Sequence, residues 1–152
     1  VGQVLLDTNL LILWIAGETE LRIIGAHKRL QIFREADYRL ICRFIEQNGS
    51  QILILHVTTE AANLLAQIGG PFKMALRRTI RKLTNEHPEI PVSSAAAVAP
   101  AEFLRLGLTD AAILTGAGKD TTLLTRDLDL YIAAQKRGIL ATNFEHLRDD
   151  TL

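Results

Sequence analysis

Four acids lie far apart in the chain, each beside an apolar run. Asp7 follows Val4-Leu5-Leu6, Glu60 follows Val57-Thr58-Thr59, Asp110 follows Gly107-Leu108-Thr109, and Asp127 follows Leu123-Leu124-Thr125-Arg126. Each falls at the end of a strand-like segment or at the start of a helix-like one. In a parallel α/β sheet such positions gather along one edge, where open sheets build their sites. Four carboxylates gathered there repel one another unless a hard cation lies between them, which points to Mg²⁺ or Mn²⁺ chemistry. Helix capping alone explains any single one of these acids, because a first-turn acid favours the helix dipole by ~0.3–1 kcal/mol. Four at one edge favour a site.

Other residues are weighed against that core. Thr8, Asn9 and Thr125 could orient ligands or water by hydrogen bonds, or serve only as caps. Asp129, two residues after Asp127, is a fifth acid that could touch the site or face solvent. Asp120 precedes its strand and so belongs to the opposite edge. None of the four histidines has zinc-type spacing, and the single cysteine, Cys42, cannot complete a thiolate site. His56 could face the cleft. Gly116-Ala117-Gly118-Lys119 lacks the strand and the Ser/Thr of a phosphate loop. Lys73, Arg77 and Arg81 share a helix face, with Arg78 and Lys82 beside it. Five cations in ten residues without an acid could hold an RNA backbone, or could be a solvated face. Arg22, His27, Lys28, Arg29 and Arg34 form a weaker second basic cluster.

These residues need a scaffold that alternates strand and helix. Strands are expected at Gln3 to Leu6, Gln51 to Val57, Ile90 to Ser93, Thr121 to Thr125 and Ile139 to Thr142. A helix capped by Thr8 or Asn9 is expected to end at Gly17. A long one should run from His27 to Gln47 and stop at Asn48-Gly49. Thr58 or Thr59 should cap a helix to Gln67, and Gly69-Gly70-Pro71 should separate it from a helix over Phe72 to Glu86. Further helices are expected at Pro100 to Arg105, from the cap Thr109 to about Ala117, and at Leu128 to Arg137, with Asn143 capping a last turn. The alternation implies an α/β fold with a mostly parallel sheet and helices on both faces.

A chain of 152 residues, 48% of them hydrophobic, suits one domain with a sizeable core. One cysteine excludes an internal disulfide framework and favours a reducing compartment, hence the cytoplasm. Cys42, in an apolar helical stretch, reads as a small buried hydrophobe. No apolar run reaches the ~18 residues of a membrane span. The stretch Val4 to Ile15 carries Asp7 and Asn9 and no basic leader, which argues against a signal peptide. Formal net charge is zero, with 17 basic and 17 acidic side chains. Distribution, not the sum, therefore decides whether nucleic acid is a partner.

With those residues in place, the chain resembles the PIN-domain nucleases. The matching pieces are Leu5-Leu6-Asp7-Thr8-Asn9, Val57-Thr58-Thr59-Glu60, Gly107-Leu108-Thr109-Asp110-Ala111-Ala112-Ile113, Leu124-Thr125-Arg126-Asp127-Leu128-Asp129-Leu130, and the tail Gly138-Ile139-Leu140-Ala141-Thr142-Asn143-Phe144. They span nearly the whole chain, and their order and spacing carry the resemblance. It implies a single PIN-like domain over residues 1–152, a three-layer α/β/α sandwich. It also implies that Asp7, Glu60, Asp110 and Asp127 hold one or two Mg²⁺ or Mn²⁺ ions for RNA phosphodiester hydrolysis. Many compact bacterial relatives are VapC-like toxins, usually dimeric and restrained by a cognate antitoxin. The segment from about Leu21 to Ser50 is longer than in the shortest of these. A stand-alone nuclease of RNA processing or decay, or a non-catalytic RNA- or protein-binding module, are the alternatives.

Overall fold

The computed structural model describes residues 2–150. The first strand, β1 (Gln3–Leu6), runs straight into α1 (Thr8–Thr19). Two 3-10 turns (Leu21–Gly25 and Lys28–Leu30) lead to α2 (Glu35–Asn48), then to the short strands β2 (Ser50–Gln51) and β3 (Leu53–Ile54). Next come α3 (Leu55–Leu65), α4 (Phe72–Glu86), β4 (Glu89–Ile90), α5 (Ser94–Val98), α6 (Glu102–Leu106) and α7 (Leu108–Gly116). The chain finishes through β5 (Thr121–Thr125), α8 (Leu128–Lys136), β6 (Leu140–Asn143) and α9 (Phe144–Asp150).

The strands form a four-stranded sheet in the order β2-β1-β5-β6, and β3 pairs with β4. Every pairing is parallel. Ile52 donates its N–H to Val4 at 2.9 Å, so β2 and β3 are one strand interrupted by a single residue, and β4 extends the same surface. Val4, Leu5 and Leu6 are all buried, as befits a central strand covered on both faces. Helices pack on the sheet, α2 against β1 and β2 and α8 against β5 and β6, in an α/β architecture.

The strand order matters for function. From β1 the chain moves outward one way, to β2; from β5 it moves outward the other way, to β6. Right-handed crossovers place these two connections on opposite faces, leaving a crevice between the β1 and β5 carboxyl ends.

Several expectations need correction. The stretch from His27 to Gln47 is not one helix. Leu30 and Phe33 do point inward, but from a 3-10 turn and the turn that follows it, and α2 begins only at Glu35. There Arg34 donates its N–H to the Asp37 carboxylate at 2.8 Å, which fixes the helix start. The second strand stops at Ile54, and α3 starts at Leu55, so Thr58 and Thr59 are not caps and Glu60 lies in the second turn. Thr109 is not a cap either; Gly107 takes that position, with φ at 89°. Gly17 does not end α1, which continues to Thr19 while Gly17 lies against the Tyr38 ring. The expected third strand is β4, two residues long, and α5 was not foreseen. Leu10, Leu11, Leu13 and Trp14 belong to the core, where the Trp14 ring meets the His87 ring edge-on at 5.3 Å. Cys42 is only half-buried, not fully buried as expected, and burial pushes its thiol pKa up.

Candidate active site

Asp7 closes β1 and caps α1. One carboxylate oxygen accepts from the Leu10 N–H at 3.1 Å. The other accepts from the Thr125 hydroxyl at 2.5 Å and from the Arg126 N–H at 3.0 Å. Asp7 thus spans the crevice between β1 and β5, and its residue is only 5% exposed. Burial raises its pKa; the Thr125, Arg126 and Leu10 donors pull it back, and the charge of Asp127 adds to the rise.

Asp127 sits just past β5 and caps α8, accepting from the Leu130 N–H at 3.1 Å. Its own N–H donates to the Thr125 hydroxyl oxygen at 2.9 Å. Thr125, fully buried, therefore connects the two acids. Glu60 reaches in from α3, and its Oε2 accepts from the Thr109 hydroxyl at 2.6 Å. Asp110 stands in the first turn of α7. Burial, then the charges of Asp127, Asp7 and Glu60, push its pKa up to about 7. Among the described residues no hydrogen-bond donor reaches the Asp110 carboxylate. The four expected acids thus share one electrostatic neighbourhood, with Asp110 at its receiving end.

They do not converge into a ready-made ligand cage. Among the described residues no three His, Cys, Asp or Glu side chains come close enough together to hold a metal ion. The donor set, four carboxylates and no nitrogen or sulfur, fits a hard dication by its chemistry. Asp7 is locked by three donors, whereas Glu60 and Asp127 are exposed side chains with one hydrogen bond each.

No protein-family model matches the chain, and no curated protein matches it.

The remaining expected residues separate clearly. Thr125 holds both neighbouring acids. Thr8 is buried in the first turn of α1, and Asn9 is exposed one residue on. Asp129 is exposed in the first turn of α8, and its charge is not among those acting on Asp7 or Asp110. His56 places Nε2 3.1 Å from the Ser94 hydroxyl, away from the acids' own hydrogen bonds, while its buried Nδ1 has no partner. Lys73, Arg77, Arg78, Arg81 and Lys82 are all exposed on α4, which Leu76 and Leu83 anchor to the core. Lys73 and Arg77 line an open groove of about 260 Å³ between α3 and α4.

Two contributors escaped the sequence reading. Thr109 read as a cap, yet its hydroxyl holds Glu60. Arg126 offers its backbone N–H to Asp7, while its guanidinium is held by Glu145 at 2.7 Å and lies over the Phe33 ring. The signal for Thr109 was its place beside Asp110. A backbone donor such as Arg126 leaves no signal in residue type.

Proposed function

We propose that this chain is a divalent-metal-dependent endoribonuclease with a PIN-type three-layer α/β/α fold. The observation that carries the reading is the charge shared at Asp110. Acids from three other segments act on one carboxyl at the switch point of a parallel sheet, where such folds bind ligands. Asp7, Glu60, Asp110 and Asp127 would hold Mg²⁺ or Mn²⁺. When bound, the ion supplies positive charge against the phosphoryl and leaving oxygens and makes an attacking water more acidic. Asp7, fixed by Thr125, Arg126 and Leu10, gives the site a rigid base. Thr109 keeps Glu60 on the α7 side. Asp110, with no donor of its own among the described residues and its pKa raised to about 7, would release its proton to bind a cation. The cations of α4 belong to substrate binding.

RNA as substrate, a homodimer and a cognate antitoxin follow from the family resemblance, and a cytoplasmic location from the single cysteine. Host toxicity on expression, relieved by a neighbouring gene product, separates a toxin from a nuclease of RNA processing or decay. A second reading, a non-catalytic RNA- or protein-binding module, draws on one observation: no three acids converge.

The test is incubation of mixed transfer, ribosomal and messenger RNA with Mg²⁺, Mn²⁺ or chelator, with Asp110→Asn alongside. Discrete metal-dependent fragments that vanish in the variant are expected. Metal binding without cleavage would replace the nuclease reading with the binding module.

A further inference from the structure

Arg126 stands between Thr125 and Asp127 in the chain, and its backbone N–H donates to Asp7 at 3.0 Å. A group of carboxylates without a counter-ion attracts a guanidinium, whose fork can pair with two carboxylate oxygens at once. Yet no cation is among the charges acting on Asp110, where burial and three other acids account for the raised pKa. The Arg126 guanidinium is held elsewhere. Its Nε lies 2.7 Å from Glu145 Oε1, and its central carbon lies 5.8 Å from the centre of the Phe33 ring.

Glu145 is itself held in place. Its N–H donates to Asn143 Oδ1 at 2.9 Å, and Asn143 lies beside Thr125 in the register of β5 and β6. Its carboxylate accepts from Arg148 Nη1 at 3.3 and 3.4 Å. Arg148 pairs through Nε with Asp37 at 3.2 Å and donates from Nη2 to the Ile32 carbonyl at 3.3 Å. Charges thus alternate along a ladder of Asp37, Arg148, Glu145 and Arg126, which joins the start of α2 to α9 and to the bend after β5. The Phe33 and Phe144 rings meet edge-on at 6.2 Å beneath its two arginines.

We propose that Glu145 is a positioning residue that keeps the Arg126 guanidinium away from the acids, so that their site stays open to a divalent cation. This rests on the metal-dependent reading and adds to it an internal competitor for the metal, with the residue that restrains it.

The side chains of Arg126 and Glu145 are 34% and 41% exposed. Pairs at such exposure contribute little to stability. The consequence of this pair is where it keeps the guanidinium. Released from Glu145, Arg126 has Asp127 next to it in the chain and Asp7 one backbone hydrogen bond away. Pairing there would neutralise those carboxylates and occupy their lone pairs, so guanidinium and dication exclude each other.

The experiment titrates Mn²⁺ into the metal-free protein by calorimetry. In the same protein without metal, NMR follows exchange of the Arg126 Nε–H with water. Cleavage is not read, so failure to cut RNA and failure of this proposal are separate results. In Glu145→Ala the Kd for Mn²⁺ should rise roughly tenfold, the shift that one charge-assisted hydrogen bond imposes on a two-state equilibrium. Glu145→Gln, which keeps the bulk of the side chain, should act in the same direction. Adding Arg126→Ala, which retains the backbone N–H to Asp7, should return Glu145→Ala to the wild-type Kd. Glu35→Ala, which frees Arg39 on α2, removes one negative charge elsewhere and should leave the Kd unchanged. The Arg126 Nε–H should stay protected in Glu145→Ala, its partner exchanged for the acids. An unchanged Kd in both Glu145 variants, or a loss that Arg126→Ala does not restore, would overturn the proposal. So would an Arg126 Nε–H that exchanges freely once Glu145 is gone.

Discussion

The Thr125 hydroxyl donates to Asp7 across the crevice between β1 and β5 and accepts from the Asp127 N–H. One side chain thereby sets the spacing of two acids 120 residues apart in sequence. Thr125 is fully buried, and its bond to Asp7 is buried with it.

Replacing Thr125 with valine keeps the shape and removes both bonds. A buried group left without its partner costs ~1–3 kcal/mol. The Asp7 pKa should rise further, since the lost donor was lowering it. The unfolding free energy from urea titration should fall by that amount and RNA cleavage should drop, with Thr125→Ser restoring both. A valine variant with wild-type cleavage would remove Thr125 from the site.

Asp110 makes stability depend on pH in a defined direction. Its folded pKa lies at about 7, above its ordinary value of 3.8. The folded state therefore holds the proton more tightly, and its stabilising effect is complete below about pH 4. It is lost as pH rises from about 4 to about 7. Metal-free Asp110→Asn protein should melt above wild type at pH 8, and the gap should close toward pH 4. A gap that does not vary with pH would contradict the shared charge.

Much of the scaffold was legible. The boundaries of β1, α4 and β5 coincide with those read from apolar runs and breakers, because central strands and strongly two-faced helices leave a plain pattern. The edge acids follow from those strands. Leu30 and Phe33 misled because inward-facing apolar residues at helical spacing are also compatible with 3-10 turns pinned by the core. Leu55 and Val57 misled because an apolar run suits a strand or a buried helix start. The Thr109–Glu60 bond joins two helices and depends on tertiary placement, which local pattern does not encode.

Gly107 holds the start of α7 at φ 89° and ψ 176°, a region almost restricted to glycine. An added Cβ would meet nothing within 4 Å, so the penalty is purely conformational. Gly107→Ala should lower stability by ~1–3 kcal/mol in chemical denaturation and should weaken cleavage by moving Asp110. A stability change near zero would show that the α7 start tolerates other backbone angles.

Thr109→Val removes the hydroxyl that holds Glu60. Because that bond is exposed, stability should change by less than ~0.5 kcal/mol. Cleavage should fall through kcat, and Thr109→Ser should recover it. Unchanged kcat would mean that Glu60 needs no such support.

The most direct test of the central claim is calorimetric titration of Mn²⁺ into the metal-free protein and into Asp7→Asn, Glu60→Gln, Asp110→Asn and Asp127→Asn. The account predicts saturable binding that weakens in all four variants, since their carboxylates serve one cation site. Absence of Mn²⁺ binding, or binding that all four substitutions leave intact, would contradict it.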